Sequence, residues 1–431
     1  MYRSLHRTPR SLLRFAFLFL CFIPLIHASA TAQPAPALDS ASIAPKYKTT
    51  TERIFAAAQR DSSAYHRLAE LCDTFGPRLS GTRSLEQAID WVLAKMKQDS
   101  LDDVHGEDVM VPYWKRGNES CTLLKPRVKA LPMMSLGGSV ATPRRGITAE
   151  VLVVEDFEDL QLKAAEAKGK IVLFNVPFKS YGETVRVRVL GAQRAAAAGA
   201  VASLIRSVGP FSMMTPHTGG MIYADSIPKI PHAAISLEDA EMIARMSRRG
   251  EKIRVQLKMD AKMMPDAPSR NIVAEIQGSS APEEVVVFGG HIDSWDVGQG
   301  AMDDGGGCIA AWHALKVIKQ LGLRPRRTLR LVLWTNEENG LRGATAYAEK
   351  HAQDKHFLAI ESDEGVFKPQ GFSYGGRPEL LPVIRAIASL LAPIGAEKIR
   401  PGGGGADIGP LMQKGVPGMS LQVDGSRYFW Y

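Results

Sequence analysis

Val285, Val286, Val287 and Phe288 form a short unbroken apolar run, closed by Gly289 and Gly290. Such a run suits a strand covered on both faces, as in the middle of a parallel sheet. Leu329–Trp334 and Phe357–Ile360 are further strand candidates downstream. Between the first two, Ala311, Ala314, Leu315 and Ile318 recur at the i, i+3, i+4 and i+7 spacing of a buried helical face. From about residue 266 onward strand and helix alternate. That alternation predicts an α/β fold with a mixed, largely parallel sheet flanked by helices.

Upstream, helical patterns run over about 48–60, 62–73 and 83–98, and a strand-like alternation covers Val104 to Tyr113. The texture then changes between about 119 and 262. Strand candidates there are Glu150–Val154, Lys170–Val176 and Ile253–Met259, with an alanine-rich helix from Gly191 to Ala202 running into the strand-like Ser203–Ile205. Ser236 is placed to cap a helix over Leu237–Met246. This pattern predicts a β-rich accessory domain over 119–265, inserted between two parts of one larger domain at 31–118 and 266–431. Residues 33–46, rich in Ala and Pro, read as a flexible lead-in.

Composition adjusts this picture little. At 431 residues, 45% apolar and 23% charged, the chain is an ordinary globular protein large enough for two domains. The first thirty residues differ. Arg3, Arg7, Arg10 and Arg14 precede the apolar run Phe15–Ile26, and Ala28-Ser29-Ala30 and Ala30-Thr31-Ala32 offer small-x-small cleavage sites. This is the layout of a secretory signal peptide over 1–30, and it predicts export, secreted or periplasmic, with no stable membrane insertion after cleavage. Its loss removes four Arg and no acid, so the formal charge falls from +8 to +4. A scattered excess of that size, with no basic run interleaved with aromatics, argues against nucleic-acid binding. Cys72, Cys121 and Cys308 remain, an odd number without a CxxC pair, so the fold does not rest on a disulfide framework. Asn118-Glu119-Ser120 is a glycosylation sequon.

The chemistry collects at the strand ends. His291 and Asp293 follow the first run; Asp303-Asp304 precede Gly305, Gly306 and Gly307; Glu337-Glu338 follow the second run; Asp363 follows the third. Ligands in open α/β sheets gather at the carboxyl ends of strands. Acids brought together there would repel by several kcal/mol in a low dielectric without a cation. A histidine mixed with carboxylates suits zinc better than calcium or magnesium. A carboxylate can bridge two metals, and a free one beside them can move a proton. The glycine run Gly402–Gly405 lacks the Gly-Lys-Ser/Thr ending of a phosphate loop and reads as a substrate-side loop, with Asp407 as a candidate structural anchor.

The segments HIDSWDVGQGAMDDGGG, LRPRRTLRLVLWTNEENG, ESDEG and KGVPGMSLQVDGSRYFWY together resemble the co-catalytic two-zinc exopeptidases, a family that includes bacterial zinc aminopeptidases and glutamate carboxypeptidases. The resemblance covers essentially the whole chain after the first thirty residues and implies the zinc exopeptidase fold. The block 119–265, with LGAQRAAAAGAVASLIRS, resembles that family's protease-associated insert. By resemblance, His291, Asp303 and Asp363 would hold one zinc, and Asp303 would bridge to a second held by Glu338 and a final histidine. Glu337 would be general base and acid, Asp293 would orient His291, and the Asp303–Asp304 peptide would be cis. The family's final histidine lies just beyond a segment like Tyr428–Tyr431, where this sequence stops; His313, His351 and His356 are not obvious substitutes. The expectation is therefore two zinc ions in a longer parent and about one held tightly by this chain, which would hydrolyse peptides poorly.

The reading is an exported metallo-exopeptidase acting on short peptides or dipeptides, a homodimer by resemblance. Two rivals share the architecture. One is a non-catalytic receptor or binding protein, and the other is a one-zinc acyltransferase of the glutaminyl-cyclase kind. The retained ligands and the base weigh against the first. The bridging Asp303 and the insert weigh against the second.

Overall fold

The structure, a computed structural model, describes residues 40–430. Residues 1–30, expected to be a signal peptide, lie outside the described residues. Three helices come first, α1 (Ile43–Arg60), α2 (Ser63–Phe75) and α3 (Arg83–Gln98). α1 begins inside the stretch expected to be flexible. Pro45 is no obstacle, because the first N–H groups of a helix have no partner within it. Thr82 caps α3 by accepting the N–H of Leu85 at 3.4 Å, with Glu86 in the first turn.

β1 (Asp102–Lys115) leads into β2 (Glu119–Lys125), β3 (Lys129–Leu131), β4 (Met133–Ser135) and β5 (Ile147–Val154). Helices α4 (Phe157–Leu162) and α5 (Ala164–Ala167) precede β6 (Ile171–Phe174), and α6 (Tyr181–Ala197) precedes β7 (Ala202–Arg206). β8 (His232–Ile235), α7 (Leu237–Arg248) and β9 (Arg254–Met259) follow, then the long β10 (Lys262–Ile276). β11 (Ala281–His291), α8 (Gly306–Gln320), β12 (Arg327–Trp334), α9 (Arg342–Lys350) and β13 (Lys355–Glu361) carry the candidate chemistry. β14 (Pro369–Gly375), α10 (Leu381–Ala388), β15 (Lys398–Pro401), α11 (Gly409–Gln413) and β16 (Gly418–Val423) come next, and a 3-10 helix over Gly425–Trp430 follows them.

Two eight-stranded sheets result, ordered β1-β10-β12-β11-β13-β16-β14-β15 and β3-β2-β9-β5-β6-β7-β8-β4. The first is mixed α/β as expected. Its centre, β12-β11-β13-β16, is parallel, and antiparallel pairs lie on either side. Helices cover both faces. Leu331 and Leu333 of β12 point into a core with Ile89 and Val92 of α3 and Trp312 and Leu315 of α8. Val332 and Trp334, one residue out of phase, point into a core with Val285, Val287, Ala344 and Tyr347. The near-continuous apolar runs are the direct consequence, since each alternate side chain has a buried face to enter.

The second sheet is built wholly from residues between Glu119 and Met259 and is less purely β than its sequence suggested. β5, β6, β7 and β8 are parallel neighbours, with α6 packed against one face and α7 against the other. α6 starts ten residues before the expected helix. Val185, Val187 and Val189 look like a strand alternation, but Thr184, Val187, Arg188, Gly191, Ala192 and Ala195 are its buried stripe, and that stripe has helical spacing. The first sheet resumes at Lys262, ahead of the expected boundary at 265. Cys72, Cys121 and Cys308 are free and buried. Among the described residues no helix is long and apolar enough to cross a membrane.

Candidate metal centre

β11 ends in two glycines for a steric reason. A Cβ on Gly289 would overlap the carbonyl of Val332 on the neighbouring strand, and one on Gly290 would overlap the Asp304 carboxylate. The backbone can therefore close up, and His291 emerges fully buried at the strand end. Its Nε2 lies 3.0 Å from Asp303 Oδ1, 3.4 Å from Asp363 Oδ1 and 4.0 Å from Glu337 Oε2. Its Nδ1 is 3.0 Å from the carbonyl oxygen of Asp293, whose own carboxylate is 3.7 Å away. It is the backbone of Asp293, more than its side chain, that orients the ring.

The Asp293 carboxylate does something else. Oδ1 accepts the N–H of Glu337 at 3.1 Å, and Oδ2 accepts the N–H of Glu338 at 3.4 Å and the Ser80 hydroxyl at 3.3 Å. The turn carrying the two glutamates follows β12 through Asn336, which adopts a left-handed φ of 70°. Asn tolerates that region better than most residues. The Asn336 amide donates to Ser80 Oγ at 3.1 Å, and its oxygen accepts the N–H of Arg342 at 3.2 Å.

The loop between β11 and α8 holds the remaining groups. The Asp303–Asp304 peptide is cis. Asp304, buried, turns inward: Oδ2 accepts the N–H of His291 at 3.1 Å and Oδ1 that of Gly307 at 3.0 Å. Asp303 turns to the open side, where its Oδ2 accepts the Tyr428 hydroxyl at 3.3 Å. Arg78 anchors the loop from below. Fully buried, it donates Nε to the carbonyl of Ile292 at 2.9 Å and its terminal nitrogens to Gly76, Gln299 and Gly300 at 3.0, 2.9 and 2.8 Å.

All six residues singled out from the sequence, His291, Asp293, Asp303, Glu337, Glu338 and Asp363, thus meet in one place. Ligand atoms of His291, Asp303 and Glu338 fall within 4.8 Å of one another, as do those of His291, Asp304 and Asp363. Burial pushes the Glu337 carboxyl up to about 7, with the charges of Asp363, Asp293 and Asp303 adding to the effect against the pull of His291. Burial likewise raises Glu338 well above its ordinary value, and the Asp303 charge adds to it. Against its own burial, His291 is raised well above the usual imidazole range by Asp363, Asp303 and Glu337. Carboxylates crowded to this degree call for positive charge. One imidazole nitrogen among carboxylate oxygens is a donor set that fits zinc.

Tyr428 and Arg78 were not expected from the sequence; Asp304 was named there in the pair with Asp303, and Asp407 as a candidate structural anchor. Tyr428 carries no local signal. Arg78 sits in the turn Phe75–Gly81, where its burial is invisible until the loop it supports is placed. Asp304, four residues ahead of Cys308, is the N-terminal partner of Gly307. Asp407 is buried, and the Glu361 charge beside it raises its carboxyl further after burial itself. His351 and His356 lie away from the centre, in a network with Glu107, Asp354, Arg330 and Tyr347.

A buried histidine ringed by acids at the parallel strand ends of a mixed α/β sheet is an arrangement that could hold metal ions, and similarity to known proteins places it in a peptidase. Residues 271–431 match peptidase family M28. The chain is 53% identical to carboxypeptidase Q of Xenopus laevis over 370 residues, spanning 85% of this chain and 79% of that protein. A crystal structure of a peptidase M28 precursor from Shewanella amazonensis SB2B superposes with a TM-score of 0.86 at 35% identity, covering 90% of each chain. BSAP, a zinc aminopeptidase from Bacillus subtilis, shares the fold with a TM-score of 0.63 at 22% identity over 84% of this chain and 85% of that one. The chain belongs to peptidase family M28 and is a metallo-exopeptidase.

Proposed function

We propose that the protein is an exported exopeptidase that hydrolyses short peptides or dipeptides with two zinc ions in the longer parent expected from the sequence, this chain holding about one of them tightly. The observation that carries the proposal is His291 Nε2 facing Asp303, Asp363 and Glu337 within 4.0 Å. His291, Asp303 and Asp363 would hold one ion, and Asp303 and Glu338 would contribute to the other. When bound, such a pair supplies Lewis-acid polarisation of the scissile carbonyl and an acidified water for attack. Glu337, near these groups but not needed as a ligand, takes the proton from the attacking water and delivers it to the leaving amine. Asp293 holds the Glu337–Glu338 turn in place, and Tyr428 fixes the outer oxygen of Asp303.

The second sheet, built wholly between Glu119 and Met259 and with one core drawn only from that segment, supports reading 119–265 as a protease-associated insert. The basic start and apolar run before Ala28 support export, secreted or periplasmic. Assembly as a homodimer rests on the resemblance.

Metal analysis after dialysis, paired with hydrolysis of dipeptides bearing free or blocked termini, tests the reading. About one tightly held zinc per chain and slow cleavage that requires a free terminus are expected. A zinc-loaded chain that binds peptides without cleaving them would overturn it.

A further inference from the structure

Trp295 and Asp296 follow His291 closely in sequence, yet their side chains are seated among residues of the second sheet region. The Trp295 indole lies over Gly137, in the loop between β4 and β5, where a Cβ would overlap indole atoms Cη2 and Cζ3. Gly220, in the loop after β7, flanks the same ring: a Cβ there would meet Trp295 Cζ2 at 3.9 Å and the Glu338 carbonyl oxygen at 3.5 Å. The two loops are tied backbone to backbone, Gly137 N to Gly219 O at 3.0 Å and Met221 N to Gly137 O at 2.9 Å. Asp296 is gripped by Arg116 through Nε–Oδ2 at 2.9 Å and Nη2–Oδ1 at 2.6 Å. The same guanidinium donates to the Ser135 carbonyl and, at 3.2 Å, to Thr218 Oγ1. Inside this seat the backbone N–H of Trp295 donates to Glu338 Oε1 at 3.1 Å.

We infer that this seat is a latch that aims Glu338, with Trp295 as the positioning residue and the second sheet region as the surface that holds it. The inference rests on the reading of Glu338 as a metal ligand. A glutamate has three rotatable side-chain bonds, and one fixed donor on Oε1 leaves the other oxygen pointing in a defined direction. Residues that orient a metal ligand in this way are worth 10–100-fold in metal affinity. Bidentate pairing of Arg116 with Asp296 adds directional rigidity that a single contact would not. Gly137 is then required because any side chain at that position displaces the indole and, with it, the N–H that Glu338 uses.

The test is affinity for the second zinc, the one Asp303 and Glu338 would hold, measured on the full chain already carrying its tightly held ion by titration against a graded chelator, with far-UV circular dichroism to check folding. Gly137→Ala is expected to weaken zinc binding about 10–100-fold. Adding Trp295→Phe deletes the overlapping ring carbons but keeps the backbone N–H, and is expected to restore affinity. Asp296→Asn leaves packing volumes unchanged while breaking the bidentate grip. It is expected to weaken binding in the same direction, and it decides the matter should Gly137→Ala not fold. Glu338→Ala is the reference. Loss of affinity in that variant, with unchanged affinity in folded Gly137→Ala and Asp296→Asn, overturns the latch alone. A loss in Gly137→Ala that Trp295→Phe does not restore also overturns it. Unchanged affinity in Glu338→Ala overturns the ligand reading instead.

Discussion

Asp293 accepts the backbone N–H of Glu337 at 3.1 Å, so the residue two places after His291 fixes the turn that presents both glutamates. Its second oxygen serves Glu338 and Ser80 as well. Asparagine offers one acceptor where three donors converge. Asp293→Asn is therefore expected to weaken zinc binding by about tenfold or more with the fold intact. Equal affinity in a chelator titration would show that the turn holds itself.

Glu337 is proposed for proton transfer rather than metal binding. Glu337→Gln should retain zinc within a few-fold and lose about 10²–10⁴-fold in dipeptide hydrolysis. Parallel loss of zinc and activity would make it a ligand. Activity near that of the unsubstituted chain would remove it from the mechanism.

Arg78 satisfies four carbonyls from a fully buried position. Arg78→Met keeps much of the volume and leaves those acceptors unpaired, at about 1–3 kcal/mol for each that water cannot reach. A loss on the order of 4 kcal/mol or failure to fold is expected. Arg78→Lys should rescue little, because a point charge cannot reproduce a planar five-donor fork. Thermal unfolding of the two variants decides this, and a small shift in Arg78→Met would show that the loop repacks.

The acid limb of stability has an identifiable contributor away from the centre. Burial would raise Glu107, but hydrogen bonds and charge from His351 and Lys350 hold its carboxyl down to about 2, from an ordinary 4.5. A depressed carboxyl stabilises the fold fully above its unfolded value and loses that contribution as pH falls. The window is therefore from about 4.5 down to about 2, and the contribution is on the order of 3 kcal/mol. Glu107→Gln should flatten the fall of stability across that window in denaturant titrations. An unchanged slope would assign the acid sensitivity to other groups.

Much of the centre was legible because its ligands stand directly after apolar runs. His291, Glu337, Glu338 and Asp363 needed only the rule that strand ends converge, and the runs announced the strands. What stayed hidden was the support. Arg78, Trp295 and Tyr428 reach the centre from segments whose local pattern says nothing of the partner, since a buried hydrogen bond leaves no periodicity. The early start of α6 was hidden for a different reason. Its β-branched valines favour strands intrinsically, and only the packed face against β6 and β7 overrides that preference. Likewise α1 begins before Pro45 because proline is harmful in a helix interior but tolerated in its first turn.

Each putting-together of the centre joins strand ends far apart along the chain, β11 to β12 on one side and β11 to β13 on the other, and each junction is a parallel pairing. Parallel neighbours cannot form from a local turn, so no fragment of the unfolded chain can gather these groups. Long-range closure is slow relative to helix formation. Zinc added to a refolding chain would find no high-affinity partner until the middle of the first sheet had closed. The kinetics of metal capture would thus act as a clock for that closure, lagging behind the appearance of helical circular dichroism.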